Sequence, residues 1–160
     1  YTILYINYSL FYKSMFQYNL IEKPKFAFKT EVIDSIFKNI SNIVPETQLW
    51  TLNIVFVDED SIQKLNNDYR QKDSVTDVLS FHYYEDFSDL EAEETAGEVI
   101  LCESKIYSQW EEFWLWTEKE FYKLVIHSVL HILWYDHEAD DEYKIMQGLE
   151  DEIWHKVFEK

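Results

Sequence analysis

Apolar residues recur along this 160-residue chain with the two periods that distinguish strands from helices. Runs that alternate, or that are rich in β-branched and aromatic residues, predict four strands: Tyr1 to about Tyr8, 49–57, 76–84 and 97–102. Apolar residues three or four positions apart predict five helices. These begin at Thr30 and end near Ile43, begin at Asp58 or Asp60 and end near Tyr69, and span 103–114, 117–133 and 139–158.

Capping and breaking residues refine this pattern. Thr30 is predicted to cap the first helix, and Pro45 ends it. The acidic stretch EDFSDLEAEETA, residues 85–96, has no clear period and is predicted to be a loop. Mixed strands and helices favour an α+β fold: a single domain over residues 1–160, with one mixed sheet of about four strands packed with about five helices.

Charge and cysteine content narrow the function and the compartment. A net charge of −17 opposes sequence-independent binding to nucleic acid, so an RNA partner requires a local basic patch or a bound cation. The alternative is simply a soluble acidic protein. Cys102 is the only cysteine, which excludes an intrachain disulfide and suits a reducing, cytoplasmic compartment. No apolar run reaches the roughly 18 residues of a membrane span, and no signal peptide is predicted.

The segment HSVLHILWYDH, residues 127–137, contains three histidines that could bind a metal ion. His127 and His131 lie about 40° apart on one helical face, as two ligands of one metal ion do. On a continuous helix, His137 would lie about 240° around the axis from His131 and about 9 Å further along it. The helix must therefore end between residues 131 and 137 for all three to bind one ion.

Signals for this ending are mixed. The acids of DHEADDEY suit the start of a new helix, but Trp134 stands where a glycine usually follows a helix. In the left-handed conformation, Trp134 would cost roughly 1–2 kcal/mol. The three histidines form either a catalytic zinc site with an open fourth position or a core-facing pair with a surface His137. Zinc proteases share the spacing, but Ser128 replaces their general base.

Three motifs together resemble the YbeY family of bacterial metal-dependent endoribonucleases. HSVLHILWYDH is similar to the family signature HGxLHLxGYDH, and LNNDYRQKDSVTDVLSF, residues 65–81, is similar to LNxxYRxKDxPTDVLSF. GEVILC, residues 97–102, is similar to the family strand GDIVI. Met146 and Glu150 fall where the family commonly has these residue types. The match spans about residues 49–155, and the family's two motif glycines are Ser128 and Trp134 here.

The resemblance implies a single-domain α+β fold, with one zinc ion per chain held by His127, His131 and His137 at the end of a core helix. It implies a zinc-dependent, single-strand-specific endoribonuclease acting in ribosomal RNA processing and ribosome quality control, with His127 and Arg70 as catalytic residues. Ribosomal particles or proteins are further partners that it suggests; DNA is not expected. A catalytically weak relative that binds a ribosomal or protein partner, and another metal-dependent hydrolase, are the alternatives.

Several residues outside the histidine triad are further candidates for the site, and most of them also have a purely structural interpretation. Arg70, the only arginine, offers a planar fork for phosphate or forms a surface salt bridge. Asp77 lines the cleft or is structural, and Asp136 orients a ligand or caps a helix. The remaining candidates are Lys64 and Lys72 as RNA contacts, Ser128 in the second shell or cleft, and His82, which faces the cleft or is an exposed strand end.

Overall fold

A four-stranded mixed sheet forms the centre of the fold in the computed structural model, which describes residues 15–91, 94–113, 117–137 and 139–159. Its strand order is β1-β2-β4-β3. β1 and β4 pair parallel to β2, and β3 pairs antiparallel to β4. The strands are β1 Gln17–Ile21, β2 Thr51–Val57, β3 Val78–His82 and β4 Thr95–Cys102.

Five α-helices accompany the sheet within these described ranges, which confirms the predicted α+β class. Short 3₁₀ turns at Pro45–Leu49 and Phe87–Asp89 precede β2 and β4. The helices are α1 Thr30–Ile43, α2 Glu59–Arg70, α3 Glu103–Phe113, α4 Thr117–Ile132 and α5 Asp140–Phe158. None of these helices combines the length and apolarity needed to span a membrane.

Several helices and strands begin at other residues than the sequence predicted, and the structure decides between the two predicted caps of α2. Lys29, not Thr30, is the N-cap of α1, and it makes no side-chain capping bond. Asp58 is the cap of α2, because its Oδ1 accepts a hydrogen bond of 2.8 Å from the Ser61 N–H. Strand β1 was not predicted, and the strand predicted for residues 1–8 lies outside the described residues. β4 begins at Thr95, inside the stretch predicted to be a loop.

The main core lies on one face of the sheet. Alternation in β2 turns Leu52, Ile54 and Phe56 into this core, and all three side chains are buried. Apolar faces of α1, α4 and α5 pack together against the same side. Because α4 carries His127 and His131, this packing fixes the backbone that presents both rings.

A smaller cluster covers the opposite face of the sheet beneath α2. Ile62 from α2 packs with Leu79 from β3 and with Ile100 and Cys102 from β4. Strand β4 is therefore buried on both faces, and its Cys102 side chain is fully inaccessible. Gly97 in β4 lies so close to β3 that an added Cβ would be 2.2 Å from the Phe81 carbonyl oxygen.

Candidate metal centre

The chain reverses direction immediately after α4, as the spacing of the histidines requires. Trp134 adopts a left-handed conformation with φ of 68°. Its N–H donates to the His131 carbonyl at 3.1 Å, and the Tyr135 N–H donates to the Leu130 carbonyl at 3.1 Å. These two bonds form a Schellman motif, in which the left-handed position usually belongs to glycine. The helix therefore ends between residues 131 and 137, as the triad requires, and Trp134 adopts the conformation whose cost was, from the sequence, the obstacle to this turn.

Side-chain contacts hold Trp134 in this unusual conformation. Its indole packs against the His82 ring with a centroid distance of 4.0 Å and an angle of 40° between the ring planes, and Phe87 lies 6.3 Å away at a steep angle. Aromatic pairs of this kind contribute about 0.5–1.5 kcal/mol each, comparable to the cost of a left-handed non-glycine residue. His82 is thus an exposed strand-end residue that supports the turn through Trp134.

The reversal brings the three histidine rings together. One ligand atom from each of His127, His131 and His137 lies within 4.8 Å of the other two. The Nε2 atoms of His127 and His131 are 3.1 Å apart. Two nitrogens bound to one tetrahedral zinc at 2.0–2.1 Å would be about 3.3 Å apart. Within the described part of the chain, this is the one group of three or more side chains arranged to hold a metal ion.

Glu150 orients the first of these rings. Its Oε1 lies 2.6 Å from His127 Nδ1, so this nitrogen donates to the carboxylate and Nε2 is left to bind a metal. The contact links α5 to α4 across 23 positions of sequence. From the sequence, Glu150 was only a family-typical residue without an assigned role, because helical periodicity does not show which residues meet between two helices.

Asp136 lies beside the second ring. Its Oδ1 accepts a hydrogen bond of 2.7 Å from the His137 N–H and is 3.9 Å from His131 Nδ1. One carboxylate thus shapes the turn and faces a histidine of the triad. Burial, followed by the neighbouring His127 and His137 rings, lowers the pKa of His131 below its usual value. This favours the neutral imidazole, which is the form that binds metals.

A cavity of about 510 Å³ opens beside His127. Its walls are apolar and acidic together, since they include Leu124 and Trp154 as well as Glu120 and Asp151. Asp77 also lines it, while its Oδ1 accepts a hydrogen bond of 2.9 Å from the Val78 N–H at the start of β3. Asp77 is therefore a structural residue whose carboxylate also lies at the cavity.

The other candidates lie outside this cluster. Arg70 is exposed at the end of α2 and forms no ion pair or hydrogen bond with the described residues, so the predicted surface salt bridge is absent among them. Lys64 pairs with Asp68 at 2.5 Å, and Lys72 is exposed two residues beyond Arg70. Ser128 is 1% exposed, and its hydroxyl has no hydrogen-bond partner among the described residues. It is not among the residues that line the cavity, and its role in the second shell or cleft stays a prediction.

Comparisons with known proteins agree on one family. The family model described as Endoribonuclease YbeY matches residues 19–158. A Malacoplasma penetrans protein named Endoribonuclease YbeY is 37% identical over 138 residues, which cover 84% of this chain and 89% of that protein. A Ureaplasma urealyticum protein of the same name is 37% identical over 147 residues, covering 86% and 90%.

A solved structure supports the same assignment. The solution structure of a Thermotoga maritima protein is similar to this fold with a TM-score of 0.59 and 28% sequence identity, and the match covers 89% of each chain. The similarity of fold and the family match over residues 19–158 therefore agree. The chain belongs to the YbeY endoribonuclease family.

Proposed function

We propose that this chain is a zinc-dependent endoribonuclease that cleaves single-stranded ribosomal RNA during rRNA processing and ribosome quality control. The observation that carries the proposal is the histidine triad, whose ligand atoms lie within 4.8 Å of one another beside an open cavity. Membership of the endoribonuclease YbeY family supports RNA as the substrate.

The donor set fits zinc. Three neutral imidazoles leave a fourth coordination position free, as catalytic zinc sites require. His127, His131 and His137 would hold the ion, and Glu150 keeps His127 in the tautomer that offers Nε2. When bound, zinc supplies Lewis acidity toward a phosphate oxygen or a water molecule.

The remaining chemistry belongs to side chains of this protein. Arg70 has no partner among the described residues, so its guanidinium is available to bind an RNA phosphate through paired hydrogen bonds. Lys72 adds a second positive charge nearby in sequence, which helps to bring RNA to a chain with a net charge of −17. The cavity beside His127 provides space for a nucleotide next to the phosphate.

Zinc content and RNA cleavage test this proposal in the purified protein. The substrates are a single-stranded oligonucleotide from an rRNA end and the same sequence as a duplex. His131→Ala should lose stoichiometric zinc, and both His131→Ala and Arg70→Ala should lower the cleavage rate about 100-fold or more, because each removes a group that stabilises charge at the phosphate. His155→Ala and Lys38→Ala, at exposed positions, serve as matched controls and should cleave like wild type.

The outcomes separate the alternatives. Equal cleavage by wild type, His131→Ala and Arg70→Ala contradicts the mechanism. A zinc-free protein that binds ribosomal particles without cleaving RNA identifies a non-catalytic relative. Faster turnover of an amide or a small phosphoester than of RNA identifies a different metal-dependent hydrolase.

A further inference from the structure

A second cavity, of about 390 Å³, lies at the chain reversal that follows α4. Its walls are the rings of Trp50, Phe87 and Trp134, with Val44 and Leu133 between them. We refer to these five residues as the aromatic pocket. The volume falls within the range of about 300–1,000 Å³ that is typical of ligand sites. None of these residues belongs to the histidine triad.

The three rings of the aromatic pocket lie close to one another. The rings of Trp50 and Phe87 are 4.6 Å apart at 53°, and those of Phe87 and Trp134 are 6.3 Å apart at 62°. Trp50 is 7% exposed and forms the buried part, whereas Trp134 is 49% exposed and forms the open wall. The Schellman bonds and the His82 ring hold Trp134 in place, so little ordering is required when a ligand binds.

Carboxylates surround the opening. Glu46, Glu85 and Asp86 line the cavity together with the rings, and no lysine or arginine among the described residues does. The Asp86 carboxylate accepts a hydrogen bond of 2.7 Å from the Ser88 N–H. Glu46 and Glu85 form no ion pair or hydrogen bond within the described part of the chain. Both the ring faces and the rim therefore present negative potential to an incoming group.

We propose that the aromatic pocket binds an arginine side chain from a basic segment of a partner protein. A guanidinium stacks flat on aromatic rings and pairs through two hydrogen bonds with a carboxylate, so it matches this lining better than an ammonium does. The three carboxylates oppose RNA phosphate at this position. The proposal does not depend on the nuclease activity, because it uses none of the residues assigned to cleavage.

The location gives such a partner a defined place on the molecule. Trp134 is three residues from His131 and three from His137, so a bound segment would lie on the turn that joins two members of the triad. The acidic character of the whole chain, with a net charge of −17, adds long-range attraction for a basic partner.

Titration with defined peptides tests the site in the full chain. The probe is the peptide acetyl-Gly-Arg-Gly-Arg-Gly-amide, and its control carries citrulline, the uncharged isostere of arginine, at both positions. The indole N–H signals are followed by NMR, and the variants Trp50→Phe and Trp134→Leu assign two of the six tryptophans. The arginine peptide should shift the Trp50 and Trp134 signals to saturation, with at least tenfold higher affinity than the citrulline peptide.

A matched pair of double variants controls for net charge. Glu46→Gln/Glu85→Gln should weaken the arginine peptide about tenfold. Glu152→Gln/Glu159→Gln, which makes the same change in charge on exposed positions of the last helix region, should weaken it less than twofold. An RNA hexamer of uridylate should leave the Trp50 and Trp134 signals unchanged.

Three results would overturn the proposal. Equal weakening by the two double variants would show attraction to net charge alone. Equal affinity of the arginine and citrulline peptides, or of an oligolysine and the arginine peptide, would show that the pocket does not recognise the guanidinium group. Saturable shifts of the same indole signals by the uridylate hexamer would identify an RNA surface instead.

Discussion

Trp134 combines a left-handed backbone with an aromatic contact that few residues could supply at that position. Its φ of 68° is unfavourable for any residue with a Cβ, yet its indole packs against the His82 ring at a centroid distance of 4.0 Å. Trp134 stands where the family motif has glycine. A glycine there would avoid the strain and lose the contact, two effects of comparable size.

Substitution at Trp134 separates strain from contact. Trp134→Ala and Trp134→Gly both remove the indole, but only glycine adopts φ of 68° without strain. We expect the glycine variant to be more stable than the alanine variant by about 1 kcal/mol. Urea unfolding of the two variants measures this difference, and equal midpoints with equal slopes would contradict it.

Glu150 provides a second test at the level of one side chain. Glu150→Gln keeps the size of the side chain but removes the charge that fixes the His127 tautomer. Loss of such an outer partner typically lowers metal affinity about 10–100-fold. Competition with a chelating dye measures the zinc affinity, and Asp151→Asn on the same helix is the control. An unchanged affinity for Glu150→Gln would show that the contact does not orient the ligand.

The helices and strands predicted best are those in which the spacing of apolar residues repeats several times. The end of α1 at Ile43 follows from its apolar spacing and from Pro45, and β2 follows from strict alternation. β1 was missed because QYNLI is short, lies at the edge of the sheet and exposes alternate residues. Spacing predicted the pair His127 and His131, and the family resemblance implied His137 as the third ligand. The Glu150 contact depends on how α5 docks and has no local signal.

The chain has only two glycines, and they sit in contrasting elements. Gly97→Ala should destabilise the fold by several kcal/mol, since its Cβ would meet the Phe81 carbonyl oxygen at 2.2 Å. Gly148→Ala should stabilise it by about 1 kcal/mol, because an added Cβ would meet no described atom of another turn or element within 4 Å and alanine favours a helix. Thermal unfolding measures both, and effects of the same sign would contradict the packing described for β4.

A metal ion bound by the triad would act on the molecule as a whole. The triad joins α4 to the segment before α5, and Glu150 adds a contact from α5 itself. A ligand that binds only the folded state stabilises it, by about 2.7 kcal/mol at 100 times its dissociation constant. Zinc should therefore raise the melting temperature of wild type and of His155→Ala, and a chelator should reverse this. A similar rise in His131→Ala would show that zinc acts elsewhere.

Net charge also acts at this scale. With 31 acidic and 14 basic residues, like charges repel one another throughout the folded state. Salt shortens the screening length from about 30 Å at 0.01 M to about 8 Å at 0.15 M. The melting temperature should rise as NaCl increases over this range and change little beyond it. A flat or falling curve would indicate that favourable ion pairs dominate over repulsion.

Cys102 has a practical consequence that follows from the burial of β4 on both faces. Its thiol is fully inaccessible in the folded chain and becomes reactive only when the sheet opens. Because the chain has no other cysteine, the rate of modification by a thiol reagent measures that opening. The modification rate can be compared with and without zinc. The difference shows how strongly bound zinc restrains the opposite face of the sheet.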